Sequence, residues 1–309
     1  MKNFDTKSFL KLFFVGFAMG SADVVPGVSG GTIAYITGVY QKLISGIKSA
    51  TTDALSLVLK GKILDAIKNV HYSFLIPLGF GIITAVLSFA KFLDYSLEHY
   101  PTYLFSFFFG LVLASIYLIG KDIKKISKLD LVIVVVSTLL SYIFVGLVPR
   151  EAPASILMSF ISGAIAISVM VLPGISGSFM LLIMGQYNNI ITAVHERDLI
   201  ILIPFLIGIV VGLSLFVKVV TYLFNRYAHQ TILFLLGLMI GSLRKIWPYK
   251  VQEYIQNGTS EPTVIDINLI PAINTRLFIS LGLIILGAII ILLFEKFSAN
   301  KKDQSVIED

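Results

Sequence analysis

One broken-helix element occurs twice in this chain. Residues 24–40 read VVPGVSGGTIAYITGVY and residues 171–187 read VLPGISGSFMLLIMGQY. Each copy carries Pro-Gly-x-Ser-Gly, followed eight residues later by Gly-x-Tyr. Both interrupt long apolar segments, 9–43 and 155–191. Pro and Gly break helices. Inside a bilayer every unpaired backbone N–H or C=O is costly, so lipid-exposed broken backbone is not tolerated. A break at membrane depth must be buried in protein or line a wet cavity. Each segment is therefore expected to form a re-entrant helical hairpin with the break at its tip.

The surrounding chain supports a bilayer environment. It is 56% hydrophobic and only 14% charged, with a mean hydropathy of +0.90, which excludes an ordinary soluble domain. Six further apolar segments, 72–91, 102–120, 129–148, 199–223, 231–243 and 277–294, are read as spanning helices. The basic, apolar N-terminus has no small-residue cleavage site ahead of a soluble domain and is read as part of the membrane domain. The lack of cysteine excludes disulfides and thiolate metal sites. His71, His99, His195 and His229 fall at span ends without a partner at ligand spacing, so no metal or other cofactor is expected. The net charge of +6 reports topology and contact with anionic membrane lipids rather than nucleic acid. Asn257 opens an Asn-Gly-Thr sequon, read as a loop turn.

The two broken segments anchor a longer correspondence. At an offset of 147, Gly16, Ser21, Pro26, Gly38 and Tyr40 align with Gly163, Ser168, Pro173, Gly185 and Tyr187. At an offset of 127, Pro77, Gly81, Lys91, Tyr100 and Gly110 align with Pro204, Gly208, Lys218, Tyr227 and Gly237. This is an internal duplication. Three full crossings per half are odd in number, so the second half enters from the opposite side. The fold expected is an all-α polytopic membrane protein with an inverted repeat, each half one re-entrant helical hairpin plus three transmembrane helices. Residues 1–128 hold the first hairpin and two spans, with an interfacial amphipathic insert at 45–70. Residues 129–153 hold the third span and an external link. Residues 154–309 hold the second hairpin, three spans and a cytoplasmic tail. With the N-terminus inside, sixteen Lys and Arg fall on cytoplasmic segments against six outside. That bias places both termini in the cytoplasm.

The chemistry should sit at the tips. Each break frees backbone N–H groups, and the half-helix that follows points its positive dipole end there. Gly27, Gly30, Gly31, Gly174 and Gly177 allow the backbone to approach an anion. Ser29, Thr32, Ser176 and Ser178 add hydroxyl donors. Two such tips at the midplane would make a symmetric cradle suited to a phosphate. The same glycines also permit close helix crossing, and the same serines satisfy nearby backbone. Lys91 and Lys218 are equivalent and either face the phosphate or snorkel to the interface. Asp23, beside the first break, has Met170 as its counterpart; it either accepts a coupling proton or caps a helix end. Pro26 and Pro173 make the breaks.

These motifs resemble those of the bacterial polyprenyl-phosphate transporter family, and the resemblance covers nearly the whole chain. It implies a multi-pass protein of the bacterial cytoplasmic membrane that returns undecaprenyl phosphate from the outer to the inner leaflet. That recycles the carrier lipid for peptidoglycan and other envelope polymers. It implies roles for Asp23, Pro26, Gly27, Ser29, Gly30, Gly31, Thr32, Pro173, Gly174, Ser176, Gly177 and Ser178. The polyprenyl-phosphate lipid is then the partner, and oligomeric state stays open. A second class, the integral-membrane undecaprenyl-diphosphate phosphatases, has a similar Pro-Gly-x-Ser motif followed by Arg-Ser and intramembrane glutamates. Here Gly30 and Gly177 stand in the arginine position, and residues 9–43 contain no Glu. Phosphoryl chemistry lacks its charge stabiliser and its activated nucleophile, so transport is preferred to catalysis. Transport of a small soluble anion is a third reading.

Overall fold

The computed structural model describes residues 6–24, 28–121, 123, 126–147, 153, 155–255 and 263–299. Pro26, Gly27, Asn257 and the tail beyond residue 299 lie outside them. The chain opens with α1 (Thr6–Val24), α2 (Gly30–Ile36) and α3 (Tyr40–Lys48). A π-helical segment (Ser49–Asp53) leads into α4 (Ala54–Leu59) and α5 (Ile63–Asn69). Long helices α6 (Tyr72–His99), α7 (Pro101–Lys121) and α8 (Lys128–Phe144) follow. The second half repeats the opening as α9 (Ile156–Val171), α10 (Gly177–Ile183) and α11 (Tyr187–Glu196). Then come α12 (Leu199–Ser242), the strands β1 (Lys250–Ile255) and β2 (Thr263–Asn268), and α13 (Thr275–Ala299).

The helix starts are written locally. Ser29, Ser155 and Asp198 cap α2, α9 and α12 by accepting a backbone N–H with the side chain. Ser127 and Asp130 form a reciprocal capping box at α8. Gly38 and Gly185 end α2 and α10 at φ of +71° and +66°, a conformation a side chain would resist. The same exit follows each: Val39 N–H bonds Ala34 O, and Gln186 N–H bonds Leu181 O.

The correspondence between halves extends to tertiary detail. Tyr100 and Tyr227 have nearly identical non-helical backbones, φ −135°, ψ 43° and φ −136°, ψ 45°. At Tyr100 the chain passes from α6 to α7; at Tyr227 it kinks α12. Gly16 lies against the backbone of Leu78, and Gly163 against that of Phe205. Gly81 lies against Phe13, and Gly208 against Phe160. So α1 packs on α6 as α9 packs on the first part of α12. The third long helices are exchanged between halves: α13 packs on α7, and α8 packs on the last part of α12.

Three expectations change in detail. The six apolar segments fall in five helices, because 199–223 and 231–243 join in α12. Among the described residues, four helices, α6, α7, α12 and α13, are long and apolar enough to cross a membrane. At ~1.5 Å per residue the 44-residue α12 measures about 66 Å, roughly twice a bilayer's hydrocarbon thickness. Its kink lets it cover both predicted spans. The insert is no single amphipathic helix: Gly61, at φ +74°, turns α4 back on α5. Leu59, Ile63 and Leu64 are exposed there. Finally, the segment after α12 is not purely helical or loop. β1 and β2 pair antiparallel, Lys250 opposite Asn268.

The glycine contacts give a stability test. A Cβ on Gly110 would overlap the Ile284 carbonyl, and one on Gly237 would overlap Ser137 and Val134. Gly110→Ala and Gly237→Ala are each expected to cost about 1–3 kcal/mol through overpacking. Gly79→Ala meets nothing within 4 Å and should be neutral or stabilising. Thermal unfolding in detergent checks all three; equal melting temperatures across the set would contradict the packing.

Candidate functional site

The tips meet, but not as mirror images. At the first tip, Ser29 caps α2 by accepting the Gly31 N–H at 3.1 Å. Its hydroxyl donates across to Leu172 O of the second tip at 3.0 Å. Thr32 Oγ1 accepts the Gly174 N–H at 3.1 Å. Ser29 and Thr32 are each only 1% exposed. Both predicted phosphate-binding hydroxyls of the first tip thus hold the two tips together, Ser29 as donor and Thr32 as acceptor. Gly30 and Gly31 are buried behind them.

The second tip faces open space. A cavity of about 220 Å³ is lined by Ser176, Gly177, Ser178 and Leu181 of that tip and of α10. Gly163, Ala166, Ile167 and Met170 of α9, with Phe205 and Ile209 of α12, complete its apolar wall. Among the described residues, the first half contributes Asp23 to the lining. Its Oδ1 accepts the Gly30 N–H at 2.7 Å, which aims the carboxyl group from the end of α1 towards the cavity. A Cβ at Gly30 would collide with Asp23 Oδ2 and displace that carboxyl group. Ser176 and Ser178 hydroxyls are 2.8 Å apart, a pair able to turn outward together as donors.

Size and polarity limit what can enter. Pockets that bury drug-sized ligands measure roughly 300–1,000 Å³, so this cavity is smaller than those. Among the described residues its polar side chains are two hydroxyls and one carboxyl group, and the other lining side chains are apolar. The half-helices α2 and α10 have only seven residues each, so hydroxyls rather than a long helix dipole supply the donors. No group of three or more His, Cys, Asp and Glu that could hold a metal occurs among the described residues.

Lys91 and Lys218 are exposed on α6 and α12 and do not line the cavity. Pro173 is fully buried at the second break. Phe205, Ile209 and Met170 had no sequence signal as lining residues. The nearest hint was Pro204, beside Phe205 and equivalent to Pro77.

Comparison with known proteins bears on this geometry. Residues 19–263 match the model of an undecaprenyl phosphate translocase-like family. A polyprenyl-phosphate transporter of Vibrio cholerae serotype O1 is 40% identical over 245 residues, 79% of this chain and 80% of the relative. A polyprenyl-phosphate transporter of Staphylococcus aureus is 30% identical over 257 residues, 75% of this chain and 84% of the relative. No solved structure matches.

Proposed function

The chain belongs to the undecaprenyl phosphate translocase-like family, and from that premise we propose that it carries undecaprenyl phosphate from the outer to the inner leaflet of the bacterial cytoplasmic membrane. The observation that supports this most is the headgroup-sized cavity edged by Asp23, Ser176 and Ser178. A charged phosphate cannot cross hydrocarbon alone; the cavity shields it while the prenyl tail stays in lipid. The activity is transport without catalysis, and its product is recycled carrier lipid for peptidoglycan and related polymers.

The tip contacts support alternating access. The chain is an inverted repeat whose two broken segments are re-entrant hairpins, with both termini cytoplasmic. Parting the tips releases the Ser29 and Thr32 hydroxyls and the Gly174 N–H, and the phosphate takes over those donors. Gly30, Gly31 and Gly177 keep the backbone close to it. Asp23 carries the coupling proton. Lys91 and Lys218 meet headgroups at the membrane surface, and Lys48, Lys60, Lys62 and Lys68 around α4 and α5 hold anionic lipid.

Transbilayer movement of undecaprenyl phosphate in proteoliposomes tests this, with phosphate release from undecaprenyl diphosphate assayed in parallel. Protein-dependent movement without release is expected. Release of phosphate would make the protein a phosphatase, and a folded preparation that moves no lipid across a range of pH gradients would exclude the lipid substrate.

A further inference from the structure

A second polar cluster lies beside the tips, built by the segment after α12. Lys245 Nζ is 2.9 Å and Lys250 Nζ 3.6 Å from the same oxygen, Asp266 Oδ2. The two lysine side chains are only 19% and 11% exposed, and that of Asp266 23%. Each ammonium also lies against an aromatic ring: Lys245 is 4.7 Å from the Phe179 centroid and Lys250 3.9 Å from that of Phe105. Among the described residues two cations share one carboxylate, so the cluster holds a surplus positive charge, met otherwise by the two rings and by the Lys245 carbonyl, which accepts from Lys250 Nζ at 2.7 Å. An anion carrying more charge than one carboxylate would balance it fully. Arg244 is occupied elsewhere, on the Tyr142 ring and carbonyl.

The cluster's position relates it to the cavity. Phe179, under Lys245, sits on α10, whose Ser178 and Leu181 line the cavity. One helix, about 10–12 Å across, separates the two. Phe105, under Lys250, belongs to α7 of the other half. The lysines thus bridge both halves next to the tip that carries the paired Ser176 and Ser178 hydroxyls.

We propose that Lys245 and Lys250 form a second anion site, which receives the phosphate monoester headgroup in exchange for Asp266 before the headgroup enters the Asp23 cavity. This rests on the transport reading above. Asp266 is the built-in competitor: it keeps the lysines paired when no lipid is present and yields to a more highly charged phosphate. Burial draws Lys250 down to about 8, against the pull of Asp266 and with the push of Lys245, while the two lysines outweigh burial and keep Asp266 below the usual carboxylate range. The site therefore loses the Lys250 charge as the pH rises through about 8.

Trp247, the single tryptophan of the chain, reports on the site. It lies between the two lysines in sequence, its Nε1–H bonds Leu269 O at 2.9 Å, and its ring meets Phe109 edge-on at 5.4 Å. The test is a Trp247 fluorescence titration of the full chain in phosphatidylcholine nanodiscs, with undecaprenyl phosphate, undecaprenol and inorganic phosphate as probes. A saturable change is expected with undecaprenyl phosphate and none with undecaprenol. Lys245→Gln/Lys250→Gln should weaken it about tenfold or more, since hydrogen bonds to charged groups are worth roughly 1.5–3 kcal/mol. Asp266→Asn should tighten it several-fold, which loss of a merely structural ion pair would not do. Lys250→Arg should restore binding and, unlike wild type, keep its affinity between pH 7 and 9. The response should survive in Ser176→Ala/Ser178→Ala, which separates this site from the cavity.

Unchanged or weaker binding in a folded Asp266→Asn variant would overturn the proposal, as would wild-type affinity in the double glutamine variant. Equal affinity for inorganic phosphate would reassign the site to a soluble anion and overturn its lipid-receiving role. Transport measured alongside keeps the two ideas apart. Binding at Trp247 without any lipid movement sinks the transport reading and leaves the site. Movement with an unaltered KM in the double glutamine variant sinks the site and leaves transport.

Discussion

Ser176→Ala/Ser178→Ala is expected to slow undecaprenyl phosphate movement by about a hundredfold. The two hydroxyls are the uncharged donors on the cavity's polar edge and lie 2.8 Å apart. A hydrogen bond to a charged group contributes roughly 1.5–3 kcal/mol. Two lost bonds amount to at least about 3 kcal/mol, and every ~1.4 kcal/mol is a factor of ten. Ser29→Ala should behave differently. Its hydroxyl joins the tips through Leu172 O, so its loss should shift the balance between closed and parted tips and lower thermal stability. Rates from proteoliposomes decide this. Wild-type movement in the double alanine variant would remove the cavity from the transport path.

Asp23→Asn is expected to abolish the response of transport to an imposed pH gradient while leaving exchange between leaflets intact. Asn keeps the oxygen that accepts the Gly30 N–H at 2.7 Å, so local structure should hold. What changes is charge. At an effective dielectric of about 20, two unit charges about 5 Å apart repel by about 3 kcal/mol. In the proposed mechanism an ionised Asp23 opposes the phosphate in so small a cavity, and a proton on Asp23 lets it enter, so that anion and proton travel together and the gradient drives the lipid. The asparagine admits phosphate without a proton and should run only down the lipid's own gradient. Gradient-driven accumulation by Asp23→Asn would place the coupling elsewhere.

Much of the scaffold was legible because its signals are local. The paired glycines, Gly38 and Gly185, mark positive-φ exits from two seven-residue helices. Tyr100 and Tyr227, matched only by a sequence offset, share one backbone conformation. The hairpin β1–β2 was missed because its residues alternate weakly and lie beside long apolar helices. The insert's lysines and apolar residues keep a helical spacing, yet Gly61 turns the chain.

The tips show where local reading stops. By itself the sequence determined a membrane-embedded helical chain, two equivalent breaks, and hydroxyls and one carboxyl group beside them. Each of those follows from hydropathy, backbone preference and spacing over a few residues. Only the tertiary structure decided which hydroxyls are free. Ser29 and Thr32 bond atoms about 140 residues away, whereas Ser176 and Ser178 are left to the cavity. It alone placed Lys91 and Lys218 outside the cavity and gathered Lys245, Lys250 and Asp266 beside Phe179. The physical reason is that a side chain's partner is set by long-range packing of helices, and two identical motifs need not meet identical neighbours once Asp23 faces Met170 across the repeat.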